Sequence, residues 1–104
     1  TKAGKLVRDG IPEIVRASGT EPVVRTLAPQ ERLPALFAKL REESDELVGA
    51  STLTDQAEEL ADIHEVLSAV IAELDLSWDG ILRIAAEKRA NRGGFAEGIW
   101  MEIG

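Results

Sequence analysis

Two acid pairs set at the same spacing are the chemically pointed feature of this 104-residue sequence: Glu43-x-x-Glu46 and Glu59-x-x-Asp62. Residues three apart on an α-helix lie about 60° from one another around the barrel, so both carboxylates of a pair can reach one point. Residues 47–58 separate the pairs, enough chain to finish one helix, turn and bring the next back alongside. Each pair also touches an apolar stripe. Leu36, Leu40, Glu43 and Leu47 stack on one helix face, and Glu59, Ile63, Val66 and Val70 stack on another. Four carboxylates converging between helices repel one another and lose hydration. Protonation relieves that cost, and so does a bound cation. An all-oxygen donor set suits Mg²⁺ or Mn²⁺ rather than zinc, and helix bundles build metal centres from inward carboxylates in this way. The competing reading is four solvated acids on exposed helix faces, where charge runs usually lie.

The charge distribution sets a context for these pairs. Residues 39–73 hold ten acids opposed only by Lys39 and Arg41. Lys2, Lys5 and Arg8 mark the start, and Arg83, Lys88, Arg89 and Arg92 lie near the end. An acidic middle between basic ends suggests a cation site beside an anion site. Ile81, Ala85, Lys88 and Arg92 stack, so that an apolar stripe turns cationic in its last turn. Those cations either complement a helix C-terminus or clamp a polyphosphate with directed donors and charge. His64 interrupts an apolar stripe and is expected to be a satisfied core histidine. Trp78 and Trp100 are expected in core or subunit packing rather than against a nucleobase, and Phe37 and Phe95 in the core.

Helices must position these groups. Pro12 suits the first turn of a short helix that runs to about residue 17, with Asp9 or Gly10 as cap and Gly19 as the stop. Residues 21–27 (EPVVRTL) read as extended. From about 29 to 48, Leu33, Leu36, Phe37, Leu40 and Leu47 recur at helical spacing. A loop over 49–54 leads to Asp55, which with Glu58 forms a capping box for a helix to about residue 74. Ser77 caps a last helix to about residue 91, which Gly93-Gly94 ends. The tail, residues 99–103 (IWMEI), alternates weakly and is expected to be a short strand pairing with residues 22–27. The expectation is one domain over 1–104: an all-α helical bundle of one short and three longer helices with minor extended segments.

Composition narrows the function. The absence of cysteine excludes a disulfide framework, a thiolate metal site and a cysteine nucleophile. One histidine cannot build a multi-histidine zinc centre. A net charge of −7 argues against a nucleic-acid partner, whose binding runs on cationic surface. No apolar run is long enough to span a membrane, and no signal peptide is visible.

Four segments, KLVRDGIP (5–12), LREESDEL (40–47), EELADIHEV (58–66) and EKRANRGGF (87–95), resemble the MazG-like all-α nucleoside triphosphate pyrophosphohydrolases, and within them the small phosphoribosyl-ATP pyrophosphohydrolase-like proteins. The resemblance covers nearly the whole chain. It implies that the family's ExxE falls on Glu43 and Glu46 and its ExxD on Glu59 and Asp62, together holding Mg²⁺. It implies phosphate contacts from Lys88 and Arg92, a dimer or higher homo-oligomer, and cleavage of a nucleotide between the α- and β-phosphates; a cytoplasmic setting is expected beside it. One departure is visible: relatives usually carry lysine where this chain has Gly10, which bears on affinity or substrate choice but not on the acid motif.

The mechanism expected from this is metal-assisted attack of water on a phosphoanhydride. Glu43 or Glu46 accepts the proton, Lys88 and Arg92 stabilise leaving pyrophosphate, and Lys5 and Arg8 close over the phosphates from the N-terminal segment. The alternative is a non-catalytic helical oligomer that binds nucleotide or a protein partner. A purely structural acidic bundle is the blandest rival.

Overall fold

The computed structural model describes residues 4–104. Lys2, counted above with the basic start, lies outside them. The described residues form four helices: α1 (Ile11–Ala17), α2 (Pro29–Gly49), α3 (Leu53–Glu73) and α4 (Trp78–Arg92). The chain is all-α, a helical bundle of one short and three longer helices. Among the described residues there is no strand, so the expected pairing of residues 99–103 with 22–27 is corrected. An isolated two-stranded ribbon is marginal in water, and Val23 and Ile103 stand almost wholly in solvent rather than on a packed face.

The helix ends follow side-chain chemistry. Pro12 sits in the first turn of α1 behind Gly10, and Gly19 takes the left-handed φ of 97° just beyond its end. Pro29 opens α2, where the Glu31 carboxylate accepts the Ala28 N–H at 2.9 Å. The start of α3 departs from expectation. Thr52, not Asp55, is its N-cap: Thr52 Oγ1 accepts the Asp55 N–H at 3.1 Å, so the helix begins three residues earlier. Ser77 caps α4 as expected, accepting the Gly80 N–H at 3.0 Å.

Helices α2 and α3 form the hairpin on which the rest depends, and they are the pair of elements in extensive contact. Leu36 on α2 and Val66 and Val70 on α3 are buried together, with Leu6, Leu33, Leu40 and Ala69 packed around them. Glu43 lies along the same interface and is only 5% exposed. On α3, Val66 and Val70 pack against Leu36 of α2, whereas Leu60 is half exposed.

Two sequence expectations about packing fail, the core phenylalanines and the core histidine. Phe95 is 98% exposed and Phe37 substantially so, and neither α4 nor the tail contains a fully buried residue. His64 is exposed at the edge of α3 rather than in the core. Its ring stacks on Trp78 with centroids 5.2 Å apart, and the Trp78 indole N–H donates to Ser68 Oγ at 2.9 Å. Trp100 is exposed on the single chain, which leaves subunit packing, the other half of its expectation, open.

Candidate functional site

The acid pairs sit on the facing sides of the hairpin. On α2 the approach of the stripe to α3 is carried by Leu36, Leu40 and Glu43, one turn apart each. On α3 the third helical turn brings Glu59 and Asp62 opposite. Carboxylate oxygens of Glu43, Glu59 and Asp62 lie within 4.8 Å of one another, and those of Glu42, Glu43 and Glu46 form a second such group. Glu43 belongs to both and is the hinge of the cluster. The cluster therefore gathers Glu43, Glu46, Glu59 and Asp62, with Glu42 added.

Cations already press on one side of this cluster. Lys39, one turn before Glu43, places its ammonium 3.3 Å from Glu43 Oε1 and 3.4 Å from Glu42 Oε2. Lys5 approaches Glu42 Oε1 at 3.9 Å. On the other side, the Arg8 guanidinium pairs with Asp62 Oδ1. Lys5 and Arg8 thus straddle the hairpin, with the half-buried Leu6 between them anchored on the Leu36 cluster.

What these cations leave bare decides the chemistry. Glu43 Oε2 and Glu59 Oε2 are both buried and receive no donor. A buried acceptor without a partner is costly, and two such oxygens on facing carboxylates need either a shared proton or a cation. The titration of the pair reflects the first remedy. The hydrogen bond to Glu43, then burial, then Glu46 push Glu59 up to about 7. Burial alone would raise Glu43 as well, but its bonds with Glu59, Lys39 and Glu46 outweigh burial and hold it below the ordinary carboxylate range. Burial works against the Lys39 charge, yet its bonds to Glu43 and Glu42 leave its pKa above the usual ammonium value. The second remedy is a hard divalent cation: the donors are all carboxylate oxygens, two of them unmet, which fits Mg²⁺ or Mn²⁺.

Lys88 and Arg92 lie exposed on α4, and no described hydrogen bond or ion pair joins either to the acids. Glu42 and Lys39 escaped the sequence reading. Their signal was local: Lys39 stands three and four residues before Glu42 and Glu43, the spacing at which charged side chains meet on a helix. Among the described residues no helix is long and apolar enough to cross a membrane.

Residues 14–89 match a family model described as phosphoribosyl-ATP pyrophosphohydrolase. A protein of Mycolicibacterium smegmatis, described as uncharacterised, is 58% identical over 48 residues, which are 46% of this chain and 49% of that relative. The chain thus spans about half the length of the curated relative it matches. No solved structure matches it.

Proposed function

This chain belongs to the phosphoribosyl-ATP pyrophosphohydrolase family, in the MazG-like superfamily, and from that premise we propose that it is a Mg²⁺-dependent nucleotide pyrophosphohydrolase. The reaction splits a nucleoside triphosphate or related nucleotide between its α- and β-phosphates, giving a monophosphate and pyrophosphate. The observation that carries the reading is the pair of buried, donorless oxygens of Glu43 and Glu59 inside an all-carboxylate cluster.

In this reading Glu43, Glu59 and Asp62 hold the metal, with Glu46 beside them. When bound, Mg²⁺ supplies positive charge for the phosphate oxygens and lowers the pKa of a nearby water. Glu46 is the exposed member of the two α2 acids, so its carboxylate is the one open to accept the proton of the attacking water. That water adds to the α-phosphorus as the α–β phosphoanhydride P–O bond breaks, and the bonding pair leaves with pyrophosphate. Arg8, 54% exposed, swings from Asp62 to a phosphate oxygen. Lys5 joins it from the same segment, and Lys88 and Arg92 contribute phosphate contacts from α4.

The same reading includes a homodimer or higher homo-oligomer and a cytoplasmic setting. Supporting the first is the apolar surface that one chain leaves open, including Leu82 and Ile84 of α4 and Ile99, Trp100 and Met101 of the tail.

The test is a panel of nucleotides, phosphoribosyl-ATP and deoxynucleoside triphosphates among them, incubated with Mg²⁺ and scored for monophosphate and pyrophosphate. At least one is expected to turn over, and Asp62→Asn is expected to abolish turnover while helical circular dichroism persists. Nucleotide binding without pyrophosphate release would instead establish the non-catalytic oligomer. Full activity in Asp62→Asn would remove the site assignment.

A further inference from the structure

The acid cluster has two halves that share Glu43, and the chain treats them differently. The half formed by Glu42, Glu43 and Glu46 already holds a cation. Lys39 sits between two of its carboxylates at 3.3 and 3.4 Å, its side chain is only 17% exposed, and Lys5 adds a second ammonium on the far oxygen of Glu42. The half formed by Glu43, Glu59 and Asp62 holds the two buried oxygens that receive no donor. Apart from Lys39 on the shared Glu43, the described cation on this half is Arg8, which contacts Asp62 from a largely exposed position.

We propose that Lys39 is a built-in cation of the Glu42–Glu43–Glu46 half, so that the free protein takes one divalent ion per chain, on the Glu43–Glu59–Asp62 half, rather than one in each. The inference rests on the metal reading of the cluster given above and adds to it which half the ion enters and why. A divalent ion about 2.1 Å from Glu42 Oε2 or Glu43 Oε1 would lie within about 5.5 Å of the Lys39 ammonium, like charge against like charge at low hydration. Lys39 is tied down where Arg8 is not: its side chain is mostly buried beside the groove between α2 and residues 4–6, and its described ion pairs, Glu42 and Glu43, both lie in this half. Arg8 differs on each point: it is exposed and touches one carboxylate, so it yields Asp62 at little cost. Lys39 is thus a positioning residue. It holds Glu43 by Oε1 and leaves Oε2 buried without a donor.

Mn²⁺ titration of the nucleotide-free protein, followed by the electron paramagnetic resonance signal of unbound Mn²⁺, tests this. The wild type is expected to take up one Mn²⁺ per chain. Lys39→Met is expected to take up a second, and Lys39→Arg, which keeps the charge, to remain at one. Since Lys39→Met leaves Glu43 buried without its ammonium and can fail to fold, a second pair of variants carries the test independently. Glu42→Gln is expected to leave the strong Mn²⁺ affinity within about 3-fold, and Asp62→Asn to weaken it by at least the ~10–100-fold that loss of a supporting group alone costs. Two equivalent Mn²⁺ ions in the wild type, or equal losses in Glu42→Gln and Asp62→Asn, would overturn the assignment of halves while leaving the metal site standing. No Mn²⁺ uptake at all would overturn the metal reading and this inference with it.

Discussion

Glu59 and Glu43 are two carboxyls of the same kind driven in opposite directions by their neighbours, and that opposition has a pH signature. Glu59 is raised to about 7 from an ordinary value of 4.5, so the folded chain binds its proton more tightly than the unfolded chain does. Its contribution to stability is complete below pH 4.5 and is lost as pH rises through about 7. Glu43 is lowered, so its contribution is present above the ordinary carboxylate range and disappears as pH falls below it. The metal-free protein is therefore expected to melt at a lower temperature at pH 7.5 than at pH 5.5. Mg²⁺ is expected to reverse that order, since a cation takes the place of the proton and binds better once the proton has gone. Thermal melts at the two pH values, with and without Mg²⁺, measure both effects. A melting temperature indifferent to pH and to Mg²⁺ would mean that the two carboxyls do not share a proton.

At the scale of elements, the α2–α3 hairpin is the device that turns two local spacings into one cluster. Its loop is short, and Thr52 fixes where α3 begins. The Thr52 cap lies about two helical turns before Glu59, so removing it should fray the first turn without moving the acids. Thr52→Ala is expected to cost about 1 kcal/mol in urea unfolding while leaving the Mg²⁺-induced rise in melting temperature intact. Loss of the Mg²⁺ response in that variant would show that the acid cluster depends on the helix start more than its distance implies. Helix α4 stands apart: it has its own cap at Ser77 and the His64–Trp78 stack at its start, yet no buried residue.

At the scale of the whole molecule, a single chain is open. Its radius of gyration is 17.7 Å, against about 13 Å for a compact domain of this length. Its buried apolar residues are few, while Val48, Leu53, Phe95, Ile99, Trp100 and Ile103 are each more than 80% exposed. Apolar surface of this extent seeks a cover, and a second copy brings the same faces with it. Sedimentation is expected to give a mass at least twice the 11.2 kDa of the chain, with a melting temperature that rises with protein concentration. A monodisperse species of chain mass would remove the oligomer from the functional reading.

Local sequence was enough for the four helices, the Ser77 cap and the spacing of the acids, because each depends on residues within a turn or two of one another, while at the start of α1 it left Asp9 and Gly10 both open. A capping hydroxyl and its N–H, or two carboxylates three residues apart, meet through backbone geometry alone. Even the shifted start of α3 was written there, in Thr52 three residues before Asp55. Tertiary structure decided the rest. Which oxygens of Glu43 and Glu59 go without a donor depends on the register of two helices. The placing of Arg8 on Asp62 joins residues 54 apart in sequence, and no local spacing encodes it. The exposure of Phe95 and Trp100 is also a tertiary outcome, since an apolar side chain signals that it wants burial but not whether its own chain supplies the partner surface.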